Sequence, residues 1–339
     1  MDARRCIPKV RFKGVNISDI VNSITYNDTE DLTDDISITV VDPARIFANN
    51  LFPAVGDVLT VGLKIVNHPT EGKNDYINLG NFDVDDFSQQ QTFTINAVSV
   101  PITGSARSEK KYRTWENIRL SAILKDMAKS MGLKYIYDCE YDPLYDKQEQ
   151  SNESDLEFLS GLAKDDGMAI KISCGKLVIF DKARYDSMPP VAKIIRGQTN
   201  ITGEPSFKCS AKDIYSSCEI TFTDSSSTKS KKNTHSGSFT APQPLGVNRV
   251  LRKRESYNSK KEDINFKRKA KSALREQNEN QWTATVELIG NCYYYAGTNV
   301  ELCGWNKWDG KYHITQARHS VSSSGFVTTL SLRRCLEGY

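Results

Sequence analysis

Gly56-Asp57-Val58-Leu59-Thr60-Val61 has a counterpart late in the chain, Gly297-Thr298-Asn299-Val300-Glu301-Leu302, and the correspondence continues beyond it. Gly80-Asn81-Phe82-Asp83-Val84 and Phe93-Thr94-Ile95 follow the first copy; Gly310-Lys311-Tyr312-His313-Ile314 and Thr329-Leu330-Ser331-Leu332 follow the second. Each copy reads as a glycine turn feeding an alternating strand, a strand entered by an aromatic, and a closing apolar strand. Apolar residues at every second position place one face of a strand on a core. Ile36, Ile38 and Val40, alternating with Ser37 and Thr39, add another such strand, which Asp42-Pro43 ends. The pattern predicts two related antiparallel β regions.

Between the copies, from about residue 104 to 187, the period changes. Leu120, Ile123, Leu124, Met127, Ala128 and Met131 form one helical stripe, with Gly132 placed for a left-handed cap. Ser154-Asp155-Leu156-Glu157 is a capping box opening a second helix that buries Leu156, Leu159, Leu162 and Ala163 and stops at Gly167. A hairpin follows, Ala169 to Ser173 and Leu177 to Phe180, turning at Cys174-Gly175. After Met188-Pro189-Pro190, strands are expected at Ile194, Cys218 to Phe222, Thr283 to Leu288, Asn299 to Cys303, Tyr312 to Ala317 and Val327 to Leu332. The fold class is therefore α+β and β-dominated, with two tube-type antiparallel β-barrel or sandwich domains flanking a small α/β domain. The expected boundaries are 1–105, 106–187 and 188–339, the last with a flexible insertion over about 224–258 and a basic helix over about 261–278.

With 339 residues, 45 Lys plus Arg and 42 Asp plus Glu, the chain is long enough for several domains and carries a formal net charge of only +3. That balance gives no global pull towards nucleic acid or an anionic membrane. Met1 to Gly14 holds Arg4 and Arg5 without a following apolar run, so no signal peptide is expected, and no stretch is long and apolar enough to predict a membrane helix. None of the eight cysteines forms a Cys-x-x-Cys pair, and Cys218, Cys303 and Cys335 lie in alternating apolar runs; reduced, structural thiols are expected.

Three ordered segments resemble the late control protein D and baseplate hub family of contractile phages, related to the hub half of type VI secretion spikes. The first is Tyr112-Arg113-Thr114-Trp115-Glu116-Asn117 with the Leu120 to Met131 helix. The second is Gln150-Ser151-Asn152-Glu153-Ser154-Asp155-Leu156-Glu157-Phe158-Leu159, through Lys164-Asp165-Asp166-Gly167, to Lys176-Leu177-Val178-Ile179. The third runs from Ala296-Gly297 to Gly304, then Asp309 to Ile314, Arg318-His319-Ser320 and Gly325-Phe326-Val327-Thr328-Thr329-Leu330. The resemblance implies a homotrimeric adaptor in the tail baseplate of a phage or phage-like contractile injection particle. It would join the sixfold tail tube to the threefold spike, contact other baseplate subunits, and be made and assembled in the bacterial cytoplasm. Two similar β domains in each of three chains would meet a sixfold tube end.

The sharper chemical readings are weaker. Ser108-Glu109-Lys110-Lys111 matches Ser-x-x-Lys without the companion motifs of that chemistry. Glu140, Asp142 and Asp146 offer carboxylates for a cell-wall hydrolase, the main alternative function, but read as turn residues. Asp28, Glu30, Asp31, Asp34 and Asp35 lack the spacing of a calcium loop and read as a solvated edge. His68, His235, His313 and His319 do not cluster; His313 falls at the outward phase of its strand. No catalytic, cofactor-binding or metal residue is assigned, and no enzymatic step is expected. Arg249 to Arg275 holds eleven basic residues against Glu255, Glu262 and Asp263. With Phe266, Ala270, Ala273 and Leu274 as its apolar stripe, it reads as a helix facing an acidic neighbouring subunit. A DNA-binding tail-completion protein is the second alternative, disfavoured because no aromatic platform accompanies the cations.

Overall fold

A computed structural model describes residues 4–42, 45–68, 72–101, 109–198, 200–224, 234–242, 246–257 and 265–339. The first β region comprises β1 (Arg5–Phe12), β2 (Val15–Asn16), β3 (Val21–Thr29), β4 (Leu32–Thr33), β5 (Asp35–Val40), β6 (Val58–Val66), β7 (Asp75–Gln89) and β8 (Phe93–Val98). Ile36, Ile38 and Val40 of β5 are fully enclosed, as their alternation demands, in a core that also holds Phe12, Phe47, Phe82 and Phe93. β1 was hidden in the sequence because Arg5, Pro8, Lys9 and Arg11 leave only Val10 and Phe12 to show its period. The strand expected to begin at Gly80 begins at Asp75 instead. Gly80 sits in a bulge where the ladder to β6 slips between Val61 and Gly62, and its φ of +103° suits a residue without Cβ.

The middle unit follows as β9 (Lys111–Arg119), α1 (Leu120–Ser130), β10 (Lys134–Asp138), β11 (Leu144–Glu153), α2 (Asp155–Asp165), β12 (Met168–Ser173), β13 (Lys176–Asp181) and α3 (Lys182–Ser187). Leu120, Ile123, Leu124 and Met127 of α1 are all fully buried against the sheet face of Ile172, Leu177 and Ile179, each such burial stabilising by about 1.5–3 kcal/mol. The capping box forms: Ser154 Oγ accepts from the Glu157 N–H, and Glu157 accepts from the Ser154 N–H at 2.8 Å. The β12–β13 turn at Cys174-Gly175 reaches back to the first β region, where a Cβ on Gly80 would lie 3.3 Å from the Cys174 backbone. A larger residue at Gly80 would therefore push the two units apart.

The remainder contains β14 (Ala192–Ile195), β15 (Ser206–Cys209), β16 (Ser217–Asp224), β17 (Thr234–Thr240), β18 (Val250–Tyr257), α4 (Phe266–Asn278), β19 (Trp282–Ile289), β20 (Asn299–Cys303), β21 (Gly310–Ser322) and β22 (Gly325–Arg334). One expectation needs correction here. The insertion over about 224–258 is not simply flexible, because Thr234–Thr240 and Val250–Tyr257 pair on either side of β16. The three strands and α4 enclose a separate core of Cys218, Ile220, Phe222, Ala270 and Leu274. Ser, Thr, Lys and Arg fill most positions of β17 and β18, so hydrophobic alternation is weak in those two strands. The basic helix begins at Phe266, capped by Asn265, whose side chain accepts from Arg268 N–H; its expected first residues, 261–264, lie outside the described residues.

The duplication is visible in the ladders. In the first region the strands run β6-β7-β8-β5-β3, every neighbour antiparallel; in the second they run β20-β21-β22-β19-β15, again all antiparallel. The chain order within each set is the same. The copies differ at the outer edge, where β1 lies antiparallel on β6 but β14 lies parallel on β20. They also differ by the inserted β16–α4 unit. The two sets merge into one sheet because β3 pairs with β21, from Thr29–Gln316 to Ile24–Val321.

Candidate functional site

Where the three units meet, the chain buries charge. Asp186 at the end of α3 receives both Oδ contacts from Arg333 Nη1 at 2.9 Å, a bond from Arg275 on α4, and the Leu336 N–H at 3.1 Å. Arg333 Nη2 reaches Glu30 Oε1 at 3.2 Å. His313 lies between the same acids, with Nε2 at 3.1 Å from Glu30 and Nδ1 at 3.4 Å from Asp186, and its Nδ1 also meets Asn299 Oδ1 at 2.8 Å. Asn299 in turn donates to the carbonyls of Tyr185 and Met188, both at 2.8 Å, which fixes the end of α3. All five ionisable side chains are at most 4% exposed. Burial by itself would raise both carboxyls. At Glu30 the Arg333 guanidinium together with His313 and Lys182 outweighs it, holding that group well below the usual range, and Arg333, Arg275 and His313 together hold Asp186 at about 2.

A second knot lies nearby. Lys171 of β12 pairs with Asp28 of β3 and, at 3.3 Å, with Asp34. Asp34 also accepts from the Tyr26 hydroxyl at 3.0 Å, and Asp28 from the Ala296 N–H at 2.8 Å. Burial lifts Asp28 to about 6 against the opposing pull of Lys171. One lysine from the middle unit thus holds two acids of the first region, one of which also takes a backbone amide from the second.

Several sequence readings change accordingly. Asp28, Glu30 and Asp34, expected on a solvated edge, are buried; only Asp31 of that group is exposed, and Asp35 is half-buried beside Asn27. The edge is covered because β4 pairs with β12 and β3 with β21, pairings that no local pattern announces. His313, expected to point outward, is fully buried because α3 and Glu30 cover the second face of β21. The cations of α4 meet an acidic neighbour, but it is the chain's own middle unit. Arg268 binds Asp181 at 2.6 Å, Lys269 lies 3.6 Å from Asp166, and Ser272 Oγ donates to the Lys164 carbonyl.

The enzyme-type candidates do not converge. Ser108 lies outside the described residues, and Lys111 of the same motif is engaged by the fully buried Asp155 at 2.7 Å. Asp142 is occupied by the Ser121 N–H and hydroxyl at the start of α1, while Glu140 is exposed. His319 lies between Tyr26 and Phe326, bonded to Thr328, and burial lowers it to about 4. His235 stacks on Phe266, far along the chain from buried His68. Among the described residues no group of three or more His, Cys, Asp or Glu is arranged to hold a metal. No helix among them is long and apolar enough to cross a membrane. The chemistry of the buried clusters is cohesion: paired charges with directional bonds at the unit boundaries. Asp186 and Arg333 were missed by sequence reading: Arg333 follows Leu332 at the polar phase of its strand, where alternation predicts solvent, so no local signal marks its burial.

No protein-family model matches the chain, and no curated protein matches it. Solved structures do. A tail protein from Neisseria meningitidis MC58 superposes with a TM-score of 0.67 at 16% identity, over 97% of each chain. The chain has the fold of a phage-type tail protein. The 43 kDa tail protein of prophage MuSo2 from Shewanella oneidensis gives the same score and identity over 97% of this chain and 98% of that one. An E. coli type VI secretion component, described as structurally similar to bacteriophage T4 tail proteins gp27 and gp5, matches at 0.56 and 11% identity over 98% and 78%. The tail-protein fold thus spans nearly the whole chain at identities of 11% to 16%.

Proposed function

We propose that this chain is a structural hub of a phage-type tail baseplate: a homotrimeric adaptor that seats on the tail tube and carries the spike, with no enzymatic step. The observation that carries the reading is the repeated strand order, β6-β7-β8-β5-β3 and β20-β21-β22-β19-β15, in two regions joined through β3 and β21. A tube end with sixfold symmetry offers six equal patches, and three chains meet them equally only with two similar β units each. On this reading residues 1–105 and 188–339 are tube-like units around a middle domain at 106–187, with the β16–α4 insert as an added unit of the last. Structural neighbours from tails and type VI secretion support the setting. So do the buried ionic knots, which suit a part that transmits force between tube and spike. The protein is placed in the particle's baseplate, assembled in the host cytoplasm, without nucleic acid as a specific partner.

The test is reconstitution with the tail-tube and spike proteins of the same particle, followed by electron microscopy. Three copies with all six β units at one height against the tube are expected. Units at different heights, or a tube end that leaves the chain unbound, would sink the adaptor mechanism.

A further inference from the structure

Along α4, Arg268, Lys271, Ser272 and Arg275 fall at i, i+3, i+4 and i+7, so one face of the helix carries three cations. Between that face and the middle unit is a cavity of about 80 Å³, whose lining includes Asp166, Asp181, Arg268, Lys271, Arg275 and Tyr339. Like charges three and four residues apart repel one another on a helix. The two acids in the wall are already engaged. Asp181 accepts from Arg268 Nη2 at 2.6 Å with one oxygen and from the Ala183 and Arg184 N–H groups with the other. Asp166 accepts from the Tyr145 hydroxyl at 3.3 Å and lies 3.6 Å from Lys269.

Two of the cations are left with bonding capacity. The cations of α4 that form ion pairs among the described residues are Arg268, Lys269 and Arg275, not Lys271. Lys271 Nζ lies 5.7 Å from the Phe239 ring centre. Burial, and after it the charge of Arg275, pulls the Lys271 ammonium below the usual lysine value, with Asp181 the opposing acid. Arg275 is only 3% exposed. Its Nη2 binds Asp186, while its Nε and Nη1 have no hydrogen-bond partner among the described residues. A buried charged donor without an acceptor is costly, so such groups ordinarily face a water or an ion.

We infer that this cavity binds a small tetrahedral oxyanion of the phosphate type, held by Lys271 and Arg275 between α4 and the middle unit. Four oxygens can accept from the ammonium and from the guanidinium at once, each as a charge-assisted bond, which a halide cannot match in number. The cavity admits an ion of that size, whereas the base and sugar of a nucleotide would have to lie outside it. Bound there, the anion offsets the repulsion along α4 and ties the inserted β16–α4 unit to β13 and α3. Because the folded cavity brings these donors together, binding stabilises the folded chain by mass action. The inference stands apart from the baseplate reading and is tested on the chain alone.

Arg275 also holds Asp186, so replacing it would disturb the junction itself; Lys271→Met keeps the aliphatic stem and removes only the charge. Lys125→Met, on the exposed side of α1, is the control for loss of one positive charge elsewhere. Isothermal titration with inorganic phosphate, and thermal midpoints in phosphate against chloride at matched ionic strength, would be measured for the full-length wild type and both variants. One phosphate per chain and a midpoint that rises with millimolar phosphate are expected for wild type and Lys125→Met. Lys271→Met should bind about tenfold more weakly, the loss of one charge-assisted bond. Phosphate acting no differently from chloride on wild type would overturn the inference. So would phosphate binding that Lys271→Met leaves intact, or that Lys125→Met weakens as much.

Discussion

Arg333→Met removes the one cation shared by Asp186 and Glu30 while keeping an apolar chain of similar length. Arg333 is 1% exposed and makes two bonds to Asp186 and one to Glu30. After the change, Asp186 keeps Arg275 and the Leu336 N–H, but Glu30 is left with His313 and the attraction of Lys182. Removing one member of a buried ion pair typically costs about 3–5 kcal/mol, because the remaining charge stays desolvated. The retained partners at Asp186 place the expected loss near the lower end, about 3 kcal/mol. The midpoint of urea unfolding, followed by tryptophan fluorescence, measures it.

The pH dependence supplies a second check on the same variant. Glu30 and Asp186 are held below their unfolded values, so their contribution is complete above about pH 4–5 and is lost as pH falls towards the folded values. In Arg333→Met that contribution is largely gone at neutral pH. The gap between wild type and variant should therefore narrow on acidification below about pH 4. Arg334→Met is the control, since its guanidinium sits over Trp282 and donates to the Asp309 carbonyl without touching either acid. A loss below about 1 kcal/mol for Arg333→Met, or a gap that widens with acid, would refute the account of the junction.

Leu124→Asp puts a charge on the fully buried face of α1 and should cost several kcal/mol. Limited proteolysis should then cut within 106–187, and a variant as resistant as wild type would show the stripe is not packed. His319→Gln should flatten stability between about pH 6.5 and 4. The wild-type imidazole is held neutral by burial, so the unfolded chain takes up the proton first and stability falls as pH drops through that window, by roughly 3 kcal/mol in all. Denaturant midpoints at stepped pH measure the slope.

What the sequence by itself determined lies within one or two turns of chain. The stripe from Leu120 to Met131, the Ser154–Glu157 box, the Cys174-Gly175 turn and the alternation of Ile36, Ile38 and Val40 all form as written, because each is encoded in the spacing of its own residues. The duplication was legible for the same reason: a repeated local pattern rebuilt the same five-strand order. Only the tertiary structure decided the rest. Glu30 and Arg333 meet across the whole length of the chain, and Lys171 reaches back to Asp28, once β3 pairs with β21 and β4 with β12. Acids that look solvated in sequence are then desolvated by segments their neighbours give no hint of. The cations of α4 likewise found their acidic partner within the chain rather than outside it. Hydrophobic period reports which face of an element is apolar, but it carries no information about which distant charge will cover the polar one.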